Sequence, residues 1–347
     1  MAKLKSVLKL VFFLGIGLLL LWMVVKDLSK DDKTSIYAAF QKANYLWLIF
    51  SMFLGVLSNV SRAIRWKMLM APLGYNPKLS NTFFAVSIAY LANLVFPRLG
   101  EVSRCGILTK YEKIPFNEGF GTVIAERAID MLILILIFFI TLIFQMNKIW
   151  GMAEEKFFNP LQEKIILFTN ASILYVIVGF LVLSFVLFFT LKKKKLPLTP
   201  TSADSPKRNA LLVKISNIIM GFWNGLKTIK NIRSPFKFIA HSIFIWLLYL
   251  VMLQMCFYSF KETSQLTMSE GLTVFIFGSL GLIFVPGGIG AYHKLVIDSL
   301  ALYSIPFYVS FAFAWMVWSS QLILILLSGL LSLILLPLLN KTRNEQA

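Results

Sequence analysis

Cysteine and histidine are almost missing from this sequence, with two of each in 347 residues. Cys105 and Cys256 stand far apart and form no metal-ligand spacing, and one possible disulfide is not a framework, so zinc and disulfide scaffolds are excluded. Charge is scarce as well, at 14% against about 25% in soluble domains. Acids are scarcer still, 16 against 34 basic residues. The resulting net charge of +18 is of the kind that can mark a nucleic-acid binder. No stretch, however, is long and polar enough to fold as a basic soluble module. What is abundant is apolar: 58% hydrophobic residues, 15% aromatic, and a mean hydropathy of +0.77. That composition describes an all-α polytopic membrane protein.

The amino terminus resembles a signal peptide at first, because Lys3, Lys5 and Lys9 precede the apolar run Leu10 to Val25. Lys26-Asp27-Leu28 follows without a small-residue cleavage site, so the run reads as an uncleaved first span. A spanning helix needs about 20 mostly apolar residues. Runs free of Asp, Glu, Lys and Arg are Leu10 to Val25, Ala43 to Ser61, Leu79 to Pro97, Met131 to Asn147, Ile165 to Leu191, Phe238 to Phe260, Gly271 to His293 and Ser299 to Asn340, eight hydrophobic elements in all.

Two elements carry similar interruptions. The third ends in Asn93-Leu94-Val95-Phe96-Pro97-Arg98-Leu99-Gly100-Glu101, and the seventh holds Phe284-Val285-Pro286-Gly287-Gly288-Ile289-Gly290. Proline and glycine free backbone groups that lipid cannot satisfy, so such breaks belong inside protein or beside a water-filled cavity.

Basic residues concentrate on the cytoplasmic side of membrane proteins. With eight crossings and the N-terminus inside, only 13 of the 34 basic residues fall inside, which is the wrong way round. With the third and seventh elements as re-entrant hairpins, dipping from the inner and outer faces respectively, 25 fall inside and 9 outside. Nine acids then also lie outside, and the whole +18 belongs to the inner face. This arrangement makes six full spans plus two re-entrant or broken helices in an inverted repeat, a recurrent transporter plan. Eight ordinary spans, two of them kinked, remain the competing reading.

The whole chain, 1–347, reads as a single transmembrane domain with a cytoplasmic polybasic insert over 192–235. Within that insert Leu196 to Asn209 is a linker, and Leu211, Ile215, Ile218, Phe222, Leu226 and Ile229 recur at helical spacing, as in a helix lying in the interface. Anchoring is the ordinary role of such an insert.

Charges beside apolar spans cost about 2.5–3.5 kcal/mol each at mid-depth and tend to face a protein interior. Two stretches hold them: Arg62, Arg65 and Lys67 after the second run, and Arg98, Glu101, Arg104, Glu126, Arg127 and Asp130 between Pro97 and the fourth. A helix starting after Gly100 makes Glu101 and Arg104 i,i+3 neighbours. Glu126 and Asp130 then share one helix face, and two like charges there want a cation, for which Arg98 and Arg104 are candidates. Arginine suits bidentate phosphate binding, so Arg62, Arg65, Asn93, Arg98, Glu101, Arg104, Glu126, Arg127 and Asp130 form a candidate lipid head-group site. Arg62, Arg65 and Lys67 also fit simple interfacial caps, and Glu126, Arg127 and Asp130 also fit the wet end of a span. Pro97, Gly100, Pro286, Gly287, Gly288 and Gly290 are the backbone breaks. Tyr292 and His293 are a possible second half of the site, although a lone histidine is more often simply hydrogen-bonded. The sequence contains no recognisable nucleophile–base pair, P-loop or metal set, so no catalytic residue, metal or cofactor is expected and the chain reads as a non-enzyme.

Asn59 to Trp66 (N-V-S-R-A-I-R-W), Asn93 to Arg104 (N-L-V-F-P-R-L-G-E-V-S-R), Glu126 to Asp130 (E-R-A-I-D) and Pro286 to Gly290 (P-G-G-I-G) together resemble the transmembrane region of lysylphosphatidylglycerol synthases. The resemblance covers roughly residues 5 to 340. It implies a flippase-like integral membrane protein that handles an anionic phospholipid or a polyprenyl-linked lipid in the plasma (bacterial inner) membrane, both termini cytoplasmic. With the sequence ending at Ala347, the expectation is a stand-alone member without the synthase domain. The resemblance also implies an acidic residue soon after the P-x-G-x-G break, where this sequence departs with Ala291-Tyr292-His293-Lys294. Membrane lipids are the expected partners. The alternative is a non-transporting membrane partner that presents lipid to an envelope glycosyltransferase or another lipid-modifying enzyme.

Overall fold

The computed structural model describes residues 15, 18–20, 22–26, 28–96, 98–153 and 232–340. Among them every regular element is helical. The chain falls into two compact units, 1–146 with 219–347, and 147–218. Of the second, only 147–153 is described, as the end of a helix. The fifth apolar run, the 192–235 insert up to residue 231, Pro97 and most of the first run lie outside the described residues.

The first element of this unit described in full is α1 (Lys30–Lys42). Ser29 Oγ accepts from the Asp32 amide at 3.0 Å while the Asp32 carboxylate accepts from the Ser29 amide at 3.0 Å, a reciprocal capping box. The Ser29 hydroxyl, donating to Asp32 Oδ2 at 2.7 Å, and then the Ser29 amide hold the Asp32 carboxyl below its ordinary value. Asn44 then caps α2 (Tyr45–Met70), its side-chain oxygen accepting from the Leu46 amide at 3.1 Å.

Two helix–break–helix hairpins follow the same local plan. In the first, α3 (Leu79–Val95) ends at an extended Phe96 (φ −138°, ψ 127°), Arg98 takes a left-handed φ of 70°, and α4 (Leu99–Glu112) begins. The chain folds straight back: the Gly100 amide donates to Asn93 Oδ1 at 2.7 Å, and Glu112 Oε1 at the far end accepts from the Lys78 amide at 3.2 Å and from Asn81 Nδ2 at 2.5 Å. Between the hairpins come α5 (Phe116–Ala153) and α6 (Pro235–Phe257).

The second hairpin pairs α7 (Met268–Phe284) with α8 (Ala291–Ala301) across an extended Val285 (φ −121°, ψ 127°) and a short 3-10 turn, Pro286–Gly288, in which Gly287 has φ 71°. It also closes at both ends. Gly281 lies so near α8 that a β-carbon there would stand 2.6 Å from Tyr292 Cα, and the Tyr303 hydroxyl donates to Thr273 Oγ1 at 2.8 Å. The chain finishes with α9 (Phe307–Asn340). The leading arms α3 and α7 have 17 residues each, about 26 Å of helix, short of the roughly 30 Å hydrocarbon core. The Pro286–Gly288 turn touches α3.

Among the described residues four helices are long and apolar enough to cross a membrane: Tyr45–Leu73, Phe116–Met146, Pro235–Phe257 and Phe307–Asn340. Their outward faces are oily, with Leu46, Ile143 and Leu330 exposed, as side chains facing hydrocarbon should be. Inward, α2 lies along α6, where Ser51 Oγ donates to the Met252 carbonyl at 3.1 Å. Small residues let α9 come close: β-carbons added at Gly329 would stand 2.7 Å from Leu91 Cβ. Phe257 stacks on Phe313 at 5.2 Å within the main apolar cluster. Cys105 and Cys256 are both free and buried.

The charge-free runs misplace several boundaries. The second run stops at Ser61, but α2 continues through Arg62, Arg65 and Lys67 to Met70. The fourth begins at Met131, whereas α5 begins at Phe116 and carries Glu126, Arg127 and Asp130 within it. Ser299 to Asn340 is not one element, because α8 ends at Ala301 and the chain turns before α9. The first two errors have one cause, that a charge neutralised inside protein does not end a helix; the third is the converse, a turn over 302–306 that no charge marks.

Candidate functional site

Arg62 and Arg65 lie i,i+3 on α2, and Glu126 and Asp130 lie i,i+4 on α5, so each helix offers its pair on one face. The four interlock. Arg62 Nη1 donates to Glu126 Oε1 and to Asp130 Oδ2, both at 2.8 Å. Arg65 Nη1 donates to Asp130 Oδ1 at 2.7 Å and Arg65 Nη2 to Glu126 Oε1 at 3.0 Å. A neighbouring helix, α6, supplies further partners: Tyr249 accepts from Arg62 Nη2 at 3.2 Å and Ser242 from Arg65 Nη1 at 3.2 Å.

A third arginine joins from the first hairpin. Arg104 Nη2 stands 2.9 Å from Glu126 Oε2, an ionic contact off the line of a hydrogen bond. Its guanidinium rests over the Trp66 ring, 4.5 Å from the centroid, and Trp66 is itself fixed by donating to Thr122 Oγ1 at 2.9 Å. Glu126 and Arg65 are 0% exposed, Arg104 3% and Arg62 4%. Burying charges is tolerable only when they are paired, and three guanidiniums against two carboxylates leave one positive charge in surplus.

That surplus comes with unused donors. Among the described residues, Nε of Arg62, Nε and Nη2 of Arg104, and the acceptor Oε2 of Glu101 are buried without a hydrogen-bond partner, a condition that asks for an explanation. Beside them opens a narrow cleft of about 10 Å³, room for about one water molecule, whose polar lining is Arg62, Tyr90, Asn93, Glu101, Arg104 and Arg127. At its edge Arg127 Nη2 donates to Glu101 Oε1 at 2.8 Å, with the two side chains 47% and 19% exposed. Low-dielectric walls and a fixed excess of cationic donors are what an anionic group entering from outside would meet.

The expectations for this region divide. Glu126 and Asp130 do share cations, but Arg62 and Arg65 supply most of the bonds, with Arg104 touching Glu126 alone. Arg98 is exposed at the left-handed start of α4, outside the cluster, because its backbone turns before the helical face begins. Glu101 pairs with Arg127 on α5, not with Arg104. Arg62 and Arg65 are too deeply buried to be interfacial caps, and Glu126 and Asp130 are not the wet end of a span. Asn93 fixes the turn through the Gly100 amide and also lines the cleft. The sequence reading missed Tyr90 and Tyr249; their only sequence signal is a hydroxyl within an otherwise apolar run.

At the second break Gly287, Gly288 and Gly290 all have positive φ, and the Gly287 carbonyl accepts from Trp318 Nε1 at 2.8 Å. Tyr292 and His293 are buried there and do not line the cleft. Contrary to expectation, neither ring nitrogen of His293 has a hydrogen-bond partner among the described residues, and the ring sits 4.1 Å from Trp315 and 5.3 Å from Trp318. His241 does have the ordinary role, sharing a 2.9 Å bond with Ser61 Oγ. Among the described residues no three His, Cys, Asp or Glu side chains gather as a metal site.

Residues 6–329 match the family described as Lysylphosphatidylglycerol synthase TM region. The chain belongs to that family. It is 26% identical over 274 residues to the UPF0104 membrane protein MJ1595 of Methanocaldococcus jannaschii, a match covering 75% of this chain and 76% of that protein. A stretch of 78 residues is 35% identical to the glycosyltransferase AglD of Haloferax volcanii, covering 22% of this chain and 12% of AglD. No solved structure matches.

Proposed function

We propose that this lysylphosphatidylglycerol synthase TM-region protein is a non-enzymatic, flippase-like carrier of an anionic phospholipid or polyprenyl-linked lipid. The observation that supports it best is the buried Arg62–Arg65–Arg104 cluster, with one uncompensated positive charge and unbonded donors beside a narrow cleft. In this reading the head group enters at the first hairpin while its tail stays in lipid. Purified protein in liposomes is expected to speed movement of a fluorescent anionic phospholipid between leaflets. Arg104→Gln should slow it about tenfold or more, because a charge-assisted hydrogen bond is lost. Vesicles in which no anionic lipid class moves faster than in protein-free controls would remove the proposal.

The proposed topology has six crossings and two re-entrant hairpins related as inverted repeats, both termini cytoplasmic in a bacterial inner membrane, with 192–235 as an inner-face insert of a single domain. Its support is the matched order of span, hairpin and span in 45–153 and 235–340, and the return of each hairpin to its own starting side. Single cysteines placed at Lys110 and Asn76, in a background lacking Cys105 and Cys256, should react with an impermeant thiol reagent from one side. Cysteines at Gln265 and Ser304 should both react from the other. Opposite sides within either pair would reject that hairpin.

The short likeness to a glycosyltransferase supports a second reading, a lipid-presenting partner of such an enzyme. Lipid binding without transbilayer movement, together with stoichiometric co-purification of one enzyme, would favour it.

A further inference from the structure

Resting on the reading that the cleft receives an anionic head group, we infer that Glu101 is a built-in competitor for that site. An entering phosphate binds by replacing the Glu101 carboxylate on Arg127 and is then held between Arg127 and Arg104.

The geometry separates the cleft's charges into two classes. Arg62 and Arg65 each give two hydrogen bonds to Glu126 and Asp130, which are buried with them and cannot leave without exposing charge. Arg104 and Arg127 are different. Among the described residues Arg104 Nε and Nη2 make no hydrogen bond, Nη2 standing in ionic contact with Glu126 Oε2 at 2.9 Å, and Arg127 is half-exposed with a single Nη2 to Oε1 contact to Glu101. That contact joins α4 to α5 at the edge of the cleft, and its carboxylate uses only one of its two oxygens, Oε2 being buried and unpartnered.

A one-point carboxylate contact at a half-open site is weak, whereas a phosphate offers several oxygens and takes a guanidinium fork two bonds at a time. The exchange therefore favours phosphate, and disfavours any anion no better than a carboxylate at pairing with arginine. Glu101 would then set selectivity by raising the threshold for entry. When displaced, it swings toward solvent at little cost, because it is already partly exposed.

The test uses the full chain in nanodiscs, with binding of fluorescent phosphatidylglycerol and fluorescent phosphatidylcholine measured in parallel. Glu101→Gln removes the competing charge while keeping the side chain's shape, and should tighten phosphatidylglycerol binding about two- to fivefold with little change for phosphatidylcholine. Arg127→Gln should weaken phosphatidylglycerol binding by a similar factor. A merely structural role for the pair would move both lipids together and both variants in the same direction, and that result would overturn the inference. Wild-type binding that Glu101→Gln leaves unchanged or weakens would overturn it too, while leaving the head-group site standing. Failure of both wild type and Glu101→Gln to bind either lipid would remove the site and the inference together.

Discussion

Glu126→Ala is expected to destabilise the detergent-solubilised protein by about 3–5 kcal/mol, more than any other single change in the charge cluster. Glu126 is completely buried and is the common partner of three guanidiniums: Oε1 accepts from Arg62 and Arg65, and Oε2 faces Arg104. Without it, Asp130 remains as the counter-charge for Arg62 and Arg65, and Arg104 keeps only the Trp66 ring. A cation–π contact is worth about 0.5–2 kcal/mol, too little to hold a buried guanidinium. Asp130→Ala should cost less, because Asp130 touches two arginines, not three, and is 7% exposed. Lys110→Gln, exposed on α4, should stay within about 0.5 kcal/mol. Chemical unfolding followed by helical circular dichroism checks the order. Equal stability of Glu126→Ala and Lys110→Gln would mean that the cluster is hydrated and loose in the membrane-embedded protein.

The same cluster explains where sequence reading succeeded and where it stopped. The two breaks were legible because Pro and Gly act on the backbone locally: Phe96 and Val285 are both extended, and Arg98 and Gly287 both take φ near 70°. The pairing of Glu126 with Asp130 was legible too, because i,i+4 spacing on a helix requires no knowledge of its neighbours. Of the cations for that pair, Arg104 was legible and does touch Glu126 at 2.9 Å, but Arg62 and Arg65, which donate the hydrogen bonds, were not. Arg98 is closer in sequence than Arg62, yet what decides is which side chains point across from α2, and helix-to-helix placement has no local signature. Counting charge-free runs failed for a related reason, since it assumes that a charge marks the water boundary. Arg62, Arg65, Glu126 and Asp130 neutralise one another inside protein, so α2 and α5 pass straight through the positions at which the count stopped. His293 shows a further gap: nothing local indicates that Trp315 and Trp318, on α9, will occupy the space where a hydrogen-bond partner was expected.

Gly100→Ala should open the first hairpin and disable the cleft. A β-carbon at Gly100 would land on the Ala89 carbonyl oxygen and stand 2.7 Å from Asn93 Nδ2 and 2.8 Å from the Ala89 carbonyl carbon. Two of those atoms are backbone in the middle of α3, so no rotamer change relieves the clash and α4 itself has to move away. Overpacking of this kind costs about 1–3 kcal/mol. The functional loss should exceed the stability loss, because the movement acts directly on the site. The Gly100 amide bond to Asn93 Oδ1 lengthens, and Glu101 and Arg104, in the first two turns of α4, are carried away from Arg127 and Glu126. Gly106→Ala is the matched control on the same helix, with nothing within 4 Å of the added carbon, and alanine's helix propensity should leave it neutral or up to about 1 kcal/mol more stable. The comparison is made in two measurements, unfolding free energy and phosphatidylglycerol binding in nanodiscs. Gly100→Ala should lose in both while Gly106→Ala loses in neither. If Gly100→Ala instead matches Gly106→Ala in both, the two arms do not touch at Ala89, and the charge cluster has to be held together by α2 and α5 without the hairpin.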